Sequence, residues 1–203
     1  MISAQDALQK LREGNVRFTD GLDPQGERPN FKSIENQEPS AIILSCSDSR
    51  VPPEVIFDQG IGDLFIVRVA GNIVTPTQIG SVEFAAEKFG SRLVVVLGHT
   101  MCGAIRATLD ELANPSPSRT ENLHSIIDAI SPCLSSLVET SPQLDGENLM
   151  HEAMRTNVLH SVNQLQQESS ILRKHVSEKG LEIIGAEYCV STGSVNFIEP
   201  TAG

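Results

Sequence analysis

The chain has 203 residues, of which 39% are hydrophobic and 20% charged, and its formal net charge is −11. This composition is typical of a globular protein that buries one core, so we expect a single domain over residues 1–203. The negative charge, with no basic cluster to offset it, argues against binding to nucleic acid or to an anionic membrane surface. No segment approaches the roughly 20 consecutive apolar residues that a membrane-spanning helix needs.

The N-terminal residues lack the basic and then apolar pattern of a secretory signal, so we expect a cytoplasmic protein. Thiols stay reduced in that compartment. The four cysteines are therefore expected to be metal ligands or core residues rather than disulfide partners.

The first predicted element is a helix that begins after Ser3, with a capping-box-like spacing to Asp6. Residues 20–40 follow and contain several prolines and glycines, which favours an extended connection. A first helix that is separated from the core in this way is expected to pack on a partner subunit.

The rest of the chain alternates between strand-like and helix-like segments. Five apolar runs have the length and composition of strands: 41–45, 64–69, 93–97, 181–186 and 195–198. Longer segments between them have helical features: 75–89, 103–113, 121–138 and 147–176. This alternation predicts an α/β fold with a central, mostly parallel β-sheet flanked by helices.

Residues with metal-binding chemistry follow two of the predicted strands. Cys46, Asp48 and Arg50 follow the first strand, and His99 and Cys102 follow the third. The carboxyl ends of strands are where ligands bind in parallel sheets. Two thiolates and one imidazole form a donor set that suits zinc and leaves a fourth coordination position. We therefore predict a zinc site with Cys46, His99 and Cys102 as its ligands.

Asp48 has two possible roles at this site. As a fourth ligand it would close the zinc tetrahedron and leave a structural site. Arg50 could instead hold the Asp48 carboxylate in a bidentate pair, which would leave water in the fourth position. We expect both states, with Asp48 on zinc in a closed form and on Arg50 in the active form.

The motif Cys-Ser-Asp-Ser-Arg-Val at 46–51, together with Gly-His-Thr-Met-Cys-Gly at 98–103, closely resembles the β-class carbonic anhydrases. The resemblance implies one Zn²⁺ per subunit, a catalytic Asp48–Arg50 dyad, and reversible hydration of carbon dioxide to bicarbonate and a proton by zinc-bound hydroxide. It also implies a homodimer or a dimer of dimers, with the site at the subunit interface.

Within this family the chain fits the plant-type site pattern. That pattern has a Gln nine residues before the first Cys and a Phe nineteen residues after it, which are Gln37 and Phe65 here. A Tyr of the pattern is replaced by Phe84, which keeps the apolar wall. The other pattern has a Trp where this chain has Ile43, and Arg68 is a single match to it.

The resemblance further implies a substrate pocket. Phe65, Phe84 and Val51 are candidates for an apolar niche for carbon dioxide, and Gln37 and the backbone N–H of Gly103 would hold a substrate oxygen. Two alternatives remain: a carbonyl sulfide or carbon disulfide hydrolase with the same ligands, and a catalytically silent zinc-stabilised binding protein. The intact dyad argues against the silent protein.

Overall fold

The structure is a computed structural model that describes residues 2–21, 37–115 and 120–198. The helices in these ranges are α1 (Ala4–Thr19), α2 (Pro53–Ile56), α3 (Pro76–Lys88), α4 (Gly103–Ala113), α5 (Glu121–Thr140), α6 (Gly146–Glu168) and α7 (Ser170–Lys179). The strands are β1 (Ala41–Ser45), β2 (Leu64–Arg68), β3 (Leu93–His99), β4 (Glu182–Tyr188) and β5 (Val195–Ile198). A short 3-10 turn, Ala70–Asn72, lies between β2 and α3 in the chain.

Five strands within the described ranges form one sheet in the order β2-β1-β3-β4-β5. The pairs β1–β2, β1–β3 and β3–β4 are parallel, and β4–β5 is antiparallel. Ser45 pairs with Arg68 on one side and with Leu97 on the other, so three strands end at the same edge. The predicted α/β fold with a mostly parallel sheet is confirmed.

Helices cover both faces of the sheet, which explains why β1 and β3 are apolar along their whole length. Ile42 and Leu44 belong to a buried cluster that includes residues of α3, α6 and α7. Ile43 and Leu97 point to the other face and belong to a cluster that includes residues of α1 and α2. No helix in the described part of the chain is both long and apolar enough to cross a membrane.

Helix α1 packs on the core of its own chain. Ala7 and Leu11 are fully buried and belong to the same cluster as Ile43. The buried amide of Asn15 donates to the carbonyl of Ile56 at 3.1 Å. The expectation that this helix cannot reach the core of its own chain is therefore wrong, whereas its packing on a partner subunit stays a prediction. Most of the predicted connection over residues 20–40 lies outside the described residues.

The single helix predicted over 147–176 is two helices. They meet at Ser169, whose backbone is extended, with φ −110° and ψ 113°. The Ser169 hydroxyl accepts a hydrogen bond from the Leu172 N–H at 2.9 Å and so caps α7. Strand β3 is also longer than predicted, and His99 is its last residue rather than the residue after it.

A substitution at Gly98 tests how closely α6 packs on β3. A Cβ atom at position 98 would lie 2.4 Å from Val158 Cγ2 and 3.1 Å from Met154 Sδ. We therefore expect Gly98→Ala to lower the free energy of unfolding by about 1–3 kcal/mol, measured by chemical denaturation. The control is Gly80→Ala in α3, where a Cβ has no neighbour within 4 Å and the alanine favours the helix. Equal stability of the two variants would contradict this packing.

Candidate metal centre

The three predicted ligands converge at the carboxyl edge of the sheet. Cys46 follows β1, His99 ends β3, and Cys102 directly precedes α4. One ligand atom from each residue lies within 4.8 Å of the other two. The residues are 5%, 0% and 1% exposed, respectively. The fold thus brings together two thiols and one imidazole that lie in two separate motifs of the sequence, and it buries all three.

The His99 ring has one nitrogen that lacks a partner. Its Nδ1 lies 2.9 Å from the Thr100 carbonyl oxygen, which favours a proton on Nδ1 and a lone pair on Nε2. Nε2 is buried and has no hydrogen-bond partner among the described residues. A buried polar atom without a partner costs roughly 1–3 kcal/mol. A metal ion would bind the lone pair of Nε2, and the hydrogen bond from Nδ1 to the Thr100 carbonyl would hold the ring in place.

The two thiols form a coupled pair. A hydrogen bond from Cys102 is the largest influence that lowers the pKa of Cys46, with His99 and the Gly71 N–H acting in the same direction against burial. The pKa of Cys102 is raised because Cys102 donates to Cys46 and is itself buried. Cys102 is the N-cap residue of α4, where the amides of Ile105 and Ala104 favour its thiolate. Such a pair ionises fully when a cation binds.

This donor set fits zinc. Zinc bonds of about 2.0–2.3 Å in a tetrahedron separate ligand atoms by roughly 3.5–3.8 Å, which is compatible with a cluster this tight. The unpartnered Nε2 and the two thiols supply three ligands, and a fourth position remains for water or for another side chain.

Asp48 and Arg50 form a bidentate ion pair beside the ligands. Arg50 Nε lies 3.0 Å from Asp48 Oδ1, and Nη2 lies 2.8 Å from Oδ2. These hydrogen bonds hold the pKa of Asp48 well below its usual range, so the side chain is a carboxylate. Asp48 Oδ2 lies 4.0 Å from His99 Nε2. The carboxylate therefore borders the metal position while Arg50 holds it.

Two of the predicted substrate-binding residues lie in different surroundings at this end of the sheet. Gly103 is exposed and directly follows Cys102, and a Cβ on it would meet nothing within 4 Å. Its backbone is therefore accessible beside the metal position. Val51 is fully buried in the apolar cluster that includes Phe57 and Leu97. Its side chain therefore packs in the core, and its predicted place in an apolar niche for carbon dioxide stays a prediction.

Gln37 lies at the opposite edge of the sheet from the ligands of its own chain. The five residues of β1 stand between Gln37 and Cys46, and a strand of that length spans about 16 Å. Gln37 lines a cavity of about 670 Å³ together with Lys10, Lys88 and Arg92. Within one chain the structure does not bring Gln37 to the metal centre.

Phe65 and Phe84 form an aromatic cluster beside the edge strand β2. Phe65 pairs with Ile42, near the start of β1, and its ring centroid lies 6.3 Å from that of Phe84. Phe89 completes the cluster at 6.0 Å and 5.7 Å from these two rings. Phe84 is 53% exposed. Phe65 and Phe89 are only partly buried and pack against the cluster that includes Ile42, so Phe84 is the ring of the three that faces outward.

The structure adds two residues to the surroundings of the site, of which the sequence marked Arg68 only as a match to the other site pattern and did not mark Asn157. Arg68 donates to the carbonyl oxygens of Cys46 at 3.0 Å and of Asp48 at 2.6 Å, and so holds the loop between ligand and dyad. Asn157 is buried on the apolar face of α6 and donates to the Gly71 carbonyl at 2.8 Å. A polar residue at that helical phase, next to Val158, was the signal that would have drawn attention to it.

Comparisons with known proteins agree with this geometry. A family model described as carbonic anhydrase matches residues 41–195. A carbonic anhydrase of Mycolicibacterium smegmatis is 33% identical over 192 residues, which cover 93% of this chain and 90% of that protein. The Coccomyxa β-carbonic anhydrase structure, in complex with acetazolamide, has a TM-score of 0.75 at 23% identity and covers 97% and 88% of the two chains. A tetrameric β-carbonic anhydrase of Sordaria macrospora has a TM-score of 0.73 at 23% identity, with 81% and 83% covered.

Metal content tests the ligand set. We expect Cys46→Ser and Cys102→Ser to lose most bound zinc after dialysis against a chelator, because a hydroxyl is a far weaker zinc ligand than a thiolate. The control is Cys133→Ser, since Cys133 Sγ donates to the Ile130 carbonyl at 3.1 Å and a serine hydroxyl can replace that bond. Elemental analysis should find about one zinc per chain in the wild type and in the control. Full zinc retention by Cys102→Ser would contradict the assignment.

Proposed function

The chain belongs to the β-class carbonic anhydrase family and hydrates carbon dioxide reversibly to bicarbonate and a proton, and we propose that this reaction takes place at one Zn²⁺ per subunit held by Cys46, His99 and Cys102. The observation that carries the proposal is the buried and unpartnered Nε2 of His99 beside two buried thiols. Zinc in such a site supplies a nucleophile by lowering the pKa of a bound water and acts as a Lewis acid toward a substrate oxygen.

Asp48 and Arg50 would control access to the fourth coordination position. With its carboxylate paired to Arg50, Asp48 leaves that position open and presents an acceptor oxygen at its border. It can then accept a hydrogen bond there and orient the attacking group. Release from Arg50 would let the carboxylate move onto the metal and close the site. Arg50 is about half exposed, so solvent reaches the pair that decides between these states.

The substrate pocket would be completed by a second copy of the chain. Strand β2 lies at an edge of the sheet, and its Phe65 packs beside the exposed Phe84 of α3, a combination typical of an interface. If two β2 strands associate about a twofold axis that is perpendicular to them, they run antiparallel. The start of one β2 then lies beside the end of the other, which brings Phe65, Phe84 and Gln37 toward the partner's metal centre. Gly103 would contribute its N–H from the metal-bearing chain.

Removal of the Asp48 charge tests the dyad. We expect Asp48→Asn to lower kcat/KM for carbon dioxide hydration by on the order of 10²–10⁴, because the amide is a weak acceptor and pairs poorly with Arg50. Zinc content should not change. Since the low pKa keeps wild-type Asp48 ionised, the deficit should be similar in mildly acidic and alkaline buffers. Stopped-flow measurement of hydration gives kcat/KM in each buffer, and elemental analysis gives the zinc content.

The matched control for this variant is Asp58→Asn. Asp58 also pairs with an arginine, Arg17, but at a distance from the metal ligands along the chain and on another part of the fold. This change should leave hydration within about twofold of the wild type, as expected for a surface ion pair. A full-activity Asp48→Asn enzyme with normal zinc would contradict the role of the dyad.

Mixed oligomers test whether Gln37 acts across the interface. Gln37→Ala should lower kcat/KM by on the order of 10²-fold if it holds a substrate oxygen. A mixed dimer of Gln37→Ala and Asp48→Asn chains has one site with both residues intact, provided that Gln37 comes from the partner. Co-expression of differently tagged chains should then recover about half of the wild-type activity per mixed dimer.

The control mixture combines Asp48→Asn with Cys46→Ser. Both changes lie in the metal-bearing chain, so neither site of that mixed dimer is complete and activity should stay at the level of the parents. Failure of the Gln37→Ala mixture to exceed its parents would place Gln37 in the site of its own chain, or outside any site.

A further inference from the structure

The 3-10 turn Ala70–Asn72 passes behind Cys46 and contacts its sulfur. The Gly71 N–H donates to Cys46 Sγ at 3.3 Å. Gly71 has a left-handed φ of +71°. A Cβ there would lie 2.8 Å from Ile130 Cδ1 and 3.0 Å from Ala104 Cβ, so the backbone approaches these side chains as only glycine can. The turn, which the Asn72 N–H closes by donating to the Val69 carbonyl at 3.1 Å, therefore provides an amide proton at the sulfur.

Helix α6 holds this turn by two buried polar side chains. Asn157 Nδ2 donates to the Gly71 carbonyl at 2.8 Å, and Ser161 Oγ donates to the Asn72 carbonyl at 3.1 Å. Both residues are only 1% exposed. They are four residues apart and therefore share one face of the helix.

An amide on an apolar helix face destabilises a protein by about 1–3 kcal/mol unless it is hydrogen-bonded. The bond to Gly71 offsets this cost. It also fixes the residue whose N–H meets the sulfur, because the Gly71 carbonyl and N–H flank the same Cα. Asn72 follows with φ +44°, a left-handed value that asparagine adopts more readily than most other residues.

We propose that Asn157 is a positioning residue of the metal centre, which holds the Gly71 carbonyl and so directs the Gly71 N–H at the Cys46 sulfur. This inference rests on the proposed zinc site. A hydrogen bond to a metal-bound thiolate draws electron density away from the sulfur. Two thiolates offset much of the charge of the metal, and the Gly71 bond returns part of its Lewis acidity. Partners of this kind, beyond the direct ligands, commonly tune metal affinity and reactivity.

Cobalt(II) in place of zinc reports this bond directly, because the thiolate-to-cobalt charge-transfer band depends on the electron density of the sulfur. We expect Asn157→Ala and Asn157→Leu to move that band to longer wavelength, since a sulfur that accepts a weaker hydrogen bond gives up an electron more easily. The leucine branches at the same carbon as asparagine and leaves no cavity, so the pair separates loss of the donor from loss of volume. Zinc affinity, measured by competition with a chelator, should fall about tenfold or more in both.

Ser161→Ala is the matched control. Ser161 is equally buried on the same helix and bonds the same turn, but one peptide farther from the sulfur. The thiolate-to-cobalt charge-transfer band of Ser161→Ala should lie close to that of the wild type. An unmoved band in both Asn157 variants overturns the proposal. An equal shift in Ser161→Ala, or a shift in Asn157→Ala alone, also overturns it, because either result assigns the effect to helix packing.

A wild-type measurement decides the question if the Asn157 variants do not fold. In nitrogen-labelled protein loaded with NMR-active cadmium, the Gly71 amide proton should show a scalar coupling to the metal through the N–H···S bond. Absence of this coupling overturns the proposal. Failure of the proposed zinc site looks different, since the wild type would then bind neither cobalt nor cadmium at one ion per chain.

Discussion

Three donor atoms meet at one edge of the sheet in a space that excludes solvent. Two thiols and the Nε2 of His99 lie there, and among the described residues Nε2 has no partner of its own. Burial of polar atoms in this way is unfavourable unless something satisfies them. A cation satisfies all three at once. The ends of β1 and β3, the start of α4 and the turn at Gly71 all meet at this point, so the local architecture depends on that one cluster.

Two arginines, Arg50 and Arg68, lie next to the cluster and have distinct roles. Arg50 holds the side chain of Asp48, whereas Arg68 holds the backbone on either side of Ser47 through the carbonyls of Cys46 and Asp48. One arginine is therefore part of a pair that can open, and the other fixes the loop from which that pair acts. This division explains how a carboxylate can change partners near a metal while the ligand beside it stays in place.

The residues that we propose for substrate binding lie near opposite ends of the parallel strands. Gly103 and the dyad lie with the metal ligands, whereas Gln37, Phe65 and Phe84 lie toward the amino ends of β1 and β2 or beside them. Under the proposed function, a single chain would carry one half of two different pockets. The exposed Phe84 beside an edge strand is the physical reason to expect that two chains associate there and combine these halves.

The sequence alone determined the strands, the class of fold, the grouping of Cys46, His99 and Cys102, and the pairing of Asp48 with Arg50. These features depend on short spacings: an apolar run ends, and the next few residues lie at the sheet edge. Only the tertiary structure decided the rest. It placed α1 on its own core through contacts such as Asn15 with Ile56, and it buried Val51 among the core residues. It also joined Asn157 to Gly71, which are 86 residues apart. Such contacts follow from how distant segments pack, and no local pattern encodes them.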